Sequence, residues 1–164
     1  MSTPPKLLVF AGSIRQNSFN RKLANVTAAL ARASGAEVTH VELADFDIPM
    51  YNADLEAKGT PPDVMKLKQL MFEHPAWHEG FKSFTGKVVG VLSASPGALG
   101  GLRSQSHLVP LLLNAQCWVA PKAFALGRAG DAFDAEGNLV NEASLKNVQA
   151  VIDQVLFASA RLAG

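Results

Sequence analysis

The stretch Leu7 to Leu23, LLVFAGSIRQNSFNRKL, constrains this chain more than any other. An apolar run, Leu7-Leu8-Val9-Phe10-Ala11, stops at Gly12, a mainly polar segment follows, and a helical pattern begins near Asn20. A short apolar run, a turn opened by glycine and an amphipathic helix together predict the first βα unit of an α/β domain. The loop offers hydroxyls at Ser13 and Ser18, amides at Asn17 and Asn20, a guanidinium at Arg15, and no carboxylate. Its backbone N–H groups converge on a helix N-terminus, where the dipole favours an anion. That inventory suits a phosphate. The plainer explanation is that Ser18 or Asn17 caps the helix and Arg15 lies in solvent. The loop is not a P-loop, since no Gly-Lys-Ser/Thr ends it, nor a G-x-G-x-x-G dinucleotide fingerprint.

Residues 12 to 23, Gly-Ser-x-Arg-x-x-Ser-x-Asn and the helix start, closely resemble the loop of the NADPH-dependent FMN reductase family. These are flavodoxin-like proteins related to chromate, azo and quinone reductases, in which this loop holds the FMN phosphate. The resemblance covers about residues 6 to 72 and 86 to 157. It implies a flavodoxin-like three-layer α/β sandwich.

Beyond the loop, the pattern predicts a helix over 20–34, with Leu23, Val26, Thr27 and Leu30 on its inner face. An edge strand is expected over 37–43, and a long loop over 45–62. Pro49-Met50-Tyr51-Asn52-Ala53-Asp54 is similar to the family's segment after its second strand, and is distinct from the Pro-Glu-Tyr-Asn that ends the third strand in the family. Pro61-Pro62 opens a helix whose buried stripe is Val64, Leu67, Leu70 and Met71, as far as Phe72.

A third strand should come next, and 73–86 does not supply one. Pro75, Gly80 and Gly86 interrupt it, and no β-branched run occurs. A parallel strand with its crossover needs roughly thirty residues. Against the family, the third strand, its Pro-Glu-Tyr-Asn loop and the next helix are missing, with the join near Ala76-Trp77. The resemblance resumes at Lys87 to Ser95, KVVGVLSAS, a near-continuous apolar run expected of a buried parallel strand. Pro96 to Gly101 turns into a helix over 102–116, which Pro110 should kink. The last strand, 117–126, is broken by Pro121 and belongs at an edge. After a polar loop, a helix over 141–162 places Leu145, Val148, Ile152, Val155, Leu156 and Phe157 inward. A flavodoxin-like sheet has the order 2-1-3-4-5. Without its third strand it should read 2-1-4-5, with 87–95 pairing beside 7–11 and the helix after Pro62 serving as the crossover.

At 164 residues the chain fits one domain, 1–164. A net charge of +1 and 18% charged residues predict neither a nucleic-acid nor a membrane partner. The N-terminal Met-Ser-Thr-Pro-Pro does not resemble a signal peptide, and one cysteine, Cys117, cannot close an internal disulfide. A cytoplasmic setting is the expectation. His40 and His107 have no nucleophile, carboxylate or metal-ligand spacing assigned to them, and Asp131, Asp134 and Glu136 lack the closing acid of an EF-hand. No catalytic side chain and no metal site is therefore expected.

By resemblance, Ser13, Arg15, Gln16, Asn17, Ser18, Phe19 and Asn20 bind the phosphate side of FMN. Ala94, Ser95, Pro96 and Gly97 line its ring, and Arg103 is a further candidate for a nicotinamide phosphate. The implied activity passes hydride from NADPH or NADH through FMN to a quinone, azo, metal-oxyanion or flavin acceptor, in a possible homodimer or homotetramer. Two alternatives stand beside it: a non-catalytic relative binding a phosphorylated ligand, and an oligomeric interaction protein.

Overall fold

The computed structural model describes residues 4–72 and 83–162. The expected join near Ala76-Trp77 lies outside the described residues. β1 (Lys6–Phe10) leads through the loop into α1 (Phe19–Ala33), then into β2 (Glu37–Val41). The long loop expected over 45–62 contains a short helix, α2 (Ala53–Ala57). Asn52 caps it, its Oδ1 accepting from the Asp54 and Leu55 N–H groups at 2.8 and 3.4 Å. α3 (Pro62–Phe72) follows, and none of its side chains is fully buried, the expected stripe of Val64, Leu67, Leu70 and Met71 being partly buried.

The run expected as one strand over 87–95 divides in two, and 117–126 is broken around Pro121 as expected. β3 (Val88–Val89) pairs in parallel with β5 (Trp118–Val119), and β4 (Leu92–Ala94) with β6 (Phe124–Leu126). Between the two ladders the residues 120–123 face only Gly90 and Val91. Pro121, which has no N–H to donate, occupies this bulge. The ladder closes on either side of it, Ala120 N–H donating to Val89 O and Phe124 N–H to Val91 O. The remaining helices are α4 (Leu102–Asn114), which runs through Pro110, and α5 (Glu142–Leu162).

Of the adjacencies in the predicted order 2-1-4-5, 2-1 and 4-5 form, and the expected pairing of 87–95 beside 7–11 is not found among the described residues. β1 pairs with β2, from Lys6–Glu37 to Phe10–Val41, and with no other strand among the described residues. Among the described residues β3 pairs only with β5, and β4 only with β6. The sheet therefore has two parallel halves whose facing edges are not joined by a ladder. α1 bridges them, packing on β1, β2 and β4, and α5 packs against α1, β3 and β6. The principal core lies beneath these helices and gathers Leu23, Ala31, Ala94, Leu126, Ala129, Leu139, Val148 and Ile152. Phe10, at the open edge, remains 47% exposed. Val151, not anticipated from the pattern, is buried, whereas Phe157 is 62% exposed and lies under the Arg161 guanidinium at 4.9 Å. No helix among the described residues is long and apolar enough to cross a membrane.

Gly90 sets how closely α5 approaches the sheet. A Cβ there would lie 2.8 Å from both Val151 Cγ1 and Val155 Cγ2. These are the stiff ends of buried, β-branched side chains, so relief requires moving the helix. Gly90→Ala is expected to cost about 1–3 kcal/mol in urea unfolding. Combined with Val155→Ala, it should cost less than the sum of the two single changes. Strict additivity would mean that the contact does not govern the spacing.

Candidate functional site

β1 delivers the chain to Gly12, and α1 takes it up at Phe19. The loop between them closes on itself where Ser18 N–H donates to Arg15 O at 3.2 Å. Arg21 Nη1 donates to the same carbonyl at 3.2 Å, and its Nε lies 2.7 Å from Glu42 Oε2, just past β2. A cation in the first turn of α1, itself held by an acid beyond the second strand, thus fixes the loop. Sequence reasoning did not single out Arg21. No local spacing signals a pair that depends on β2 lying beside β1.

The side chains of Arg15, Gln16 and Asn17 are exposed, Ser13 is half-buried, and none has a hydrogen-bond or ion-pair partner among the described residues. Ser18 differs. It is 0% exposed, and its Oγ has no hydrogen-bond partner among the described residues. Its backbone has the extended geometry of an N-cap, yet its side chain makes no capping bond. The plain capping explanation therefore does not account for Ser18. A buried hydroxyl left unpaired costs about 1–3 kcal/mol, and such groups call for a partner from elsewhere. The first turn of α1 also presents N–H groups that no helical carbonyl reaches, and it carries no acidic residue. A hydroxyl, bare amides and a guanidinium are donor types that an anion accepts from. Phe19 turns its ring away into the core, stacked on Phe133 with centroids 6.3 Å apart.

The second half of the site is the turn after β4. Ser95 N–H donates to Leu126 O, Ala129 N–H to Ser95 O, and Arg128 N–H to Gly97 O, each at 3.1 Å. Beneath the turn Ser93 Oγ donates to Gly100 O at 2.7 Å. Gln105 Nε2 donates to Ser93 Oγ and to Phe124 O, each at 2.8 Å. Gln105 is the buried residue of α4, so this network fastens the helix to the turn. Pro96 and Gly97 are exposed, and Ser95 Oγ accepts from Gly97 N–H at 3.3 Å. The segment 127–129, which clamps the turn, was not singled out from sequence. A Cβ on Gly127 would lie 2.2 Å from Ala98 O, a close approach that no single-sequence pattern announces. Arg103 lies exposed one residue into α4.

The two halves meet through Asn20. Its Oδ1 accepts from Ala94 N–H at 2.8 Å, and its Nδ2 donates to Ala94 O at 3.3 Å. Among the described residues no group of His, Cys, Asp and Glu could hold a metal. Cys117 is buried, its Sγ donating to Phe84 O at 3.3 Å, and burial pushes its thiol pKa up, away from nucleophilic chemistry. The arrangement sets a loop carrying hydroxyl, amide and guanidinium donors beside a turn of small residues.

Known proteins place this arrangement. A quinone reductase of Pseudomonas putida is 31% identical over 186 residues, covering 97% of this chain and 96% of that protein. An NAD(P)H-dependent FMN reductase of Pseudomonas aeruginosa is 30% identical over 192 residues, spanning 100% of both. With 192 aligned positions against 164 residues, about 28 positions of that alignment face no residue of this chain. Among solved structures, the flavoenzyme NAD(P)H:(acceptor) oxidoreductase FerB of Paracoccus denitrificans superposes with a TM-score of 0.79 at 24% identity. It covers 96% of this chain and 98% of its own, and establishes the flavodoxin-like fold. The family model for NADPH-dependent FMN reductase matches residues 5–77 and 75–131. The chain belongs to the NADPH-dependent FMN reductase family.

Proposed function

We propose that this protein is a shortened NAD(P)H-dependent FMN reductase acting on quinones, with azo compounds, metal oxyanions and free flavins as further candidate acceptors. The observation that carries the reading is Ser18 Oγ, buried and unpartnered at the start of α1. A phosphate monoester supplies the acceptor it lacks, and the Arg15 guanidinium and first-turn amides supply the rest of its shell. FMN, when bound, accepts hydride from nicotinamide and delivers electrons to the acceptor. The chain's own part is to bind and orient. Ser13, Arg15, Gln16, Asn17 and Ser18 grip the phosphate, with the backbone of Phe19. Ala94, Ser95, Pro96 and Gly97 offer small side chains and backbone to the ring.

The test is a titration of the purified protein with FMN, followed by NAD(P)H oxidation with benzoquinone as acceptor. Submicromolar, one-to-one FMN binding and quinone-dependent turnover are expected. A folded protein that binds no FMN would sink the reading.

A second reading, a non-catalytic relative that keeps only the phosphate end, draws on the unjoined edges of β1 and β4, because the crevice lies between them. FMN binding without turnover would select it. Self-association is also part of the proposal. Leu102, Leu108, Leu111 and Leu113 of α4 are exposed, as is Trp118, which suits a homodimer or homotetramer.

A further inference from the structure

We infer that Asn20 is a positioning residue, whose amide stands in for a neighbouring strand and sets the ring-side turn against the phosphate loop before any flavin binds. The inference rests on the flavin reading above. In a parallel ladder, successive residues point their peptide groups to opposite edges. Ser95 N–H bonds Leu126 O, so at this end of β4 it is Ser95 that faces β6. Ala94 therefore points its N–H and C=O the other way, toward the edge where no strand pairs among the described residues.

Two backbone groups of a buried residue would be left bare there. The Asn20 amide meets both, accepting at 2.8 Å and donating at 3.3 Å, across 74 residues of sequence. A primary amide carries the same donor–acceptor pair as a peptide unit. Aspartate would lack the donor, and alanine would lack both groups. Asn20 lies in the first turn of α1, two residues after Ser18, and Ala94 is the last residue of β4, where the turn through Ser95 and Gly97 begins. A single side chain thus ties the two halves of the site together. This use of the amide also differs from that of an anion ligand, because its oxygen already accepts and its nitrogen already donates to Ala94.

The two roles separate experimentally, because FMN and riboflavin differ only by the phosphate. Asn20→Ala is expected to weaken both flavins about tenfold, leaving their affinity ratio unchanged. In the flavin-free protein, hydrogen exchange at the Ala94 amide should accelerate about tenfold or more in the same variant. Asn20→Asp keeps an acceptor for Ala94 N–H. It should therefore retain much of that protection and bind riboflavin with intermediate affinity, which guards against a variant that merely unfolds. Loss of FMN affinity with riboflavin untouched would make Asn20 a phosphate ligand and overturn the inference. Equal affinities in wild type and Asn20→Ala would overturn it too, as would an Ala94 amide unprotected in the wild type. Should the wild type bind neither flavin, the functional reading fails and the flavin role of Asn20 with it, while the exchange data report separately on the link to Ala94.

Discussion

Ser18→Ala is expected to stabilise the flavin-free protein and at the same time to weaken FMN binding about 10- to 100-fold. The opposite signs follow from one observation. Ser18 Oγ is fully buried and unpaired, so the flavin-free fold carries the desolvation cost of a hydroxyl that bonds nothing. Alanine removes that cost, which should raise unfolding stability by about 1 kcal/mol. A hydrogen bond to a charged group is worth about 1.5–3 kcal/mol, which sets the loss of FMN affinity. Riboflavin, without the phosphate, should bind the variant and the wild type alike. Were Ser18 only a helix cap, the same change would lower stability by about 1 kcal/mol and leave FMN untouched. Urea unfolding and fluorescence titration, run side by side, decide between the two. A site that keeps a strained or unsatisfied group for its ligand gives up stability for function.

Much of the fold was legible because local pattern and tertiary role agree. The run at Leu7 and the amphipathic pattern after Asn20 predict β1 and α1, and both form. The burial of Leu23, Thr27, Val148 and Ile152 follows from helical spacing alone. Of the strand order, the 2-1 and 4-5 adjacencies were legible, and the relation of β1 to 87–95 was not, because pairing is a non-local property. Lys87–Ser95 has the composition of a buried central strand, and nothing within it reports that β1 remains out of ladder reach. The break at Gly90 was likewise hidden, since its cause lies in α5 and in the extra residues around Pro121. Phe157 was misplaced because helical periodicity at a C-terminus cannot tell a core face from one covered only by its own Arg161.

In the site, the residues legible from sequence are those whose chemistry is local. Ser18 and Arg15 drew attention through their place between a strand and a helix, as donors expected for a phosphate. Arg21 and Glu42 do not, because their pairing depends on β1 and β2 lying side by side. Glycines are the sharper case. Gly12 opens the loop and drew attention at once, yet a Cβ there would meet nothing within 4 Å, so the protein itself does not demand glycine. Gly127, which drew none, faces the Ala98 backbone at a distance that leaves no room for a Cβ.

Gly127→Ala should accordingly be among the most damaging single changes to this protein, costing about 3 kcal/mol or more. The new Cβ would lie 2.2 Å from Ala98 O and 2.9 Å from Ala98 C. Both are backbone atoms, so no rotamer change relieves the clash, and the segments after β4 and β6 must part. Parting them also strains the bonds that shape the ring-side turn: Ser95 N–H to Leu126 O, Ala129 N–H to Ser95 O, and Arg128 N–H to Gly97 O. Flavin affinity should therefore fall even under conditions where the variant is still fully folded, and riboflavin should suffer as much as FMN. Gly97→Ala supplies the contrast within the same turn. Its Cβ would meet only Ser95 Oγ, at 3.7 Å, an ordinary contact on a backbone that does not need glycine. That variant should unfold within about 0.5 kcal/mol of the wild type. Urea midpoints for the pair, with m-values to confirm the same transition, give the comparison. Equal midpoints would mean that the turn yields without cost, and that its spacing from β6 is not what shapes the ring side of the site.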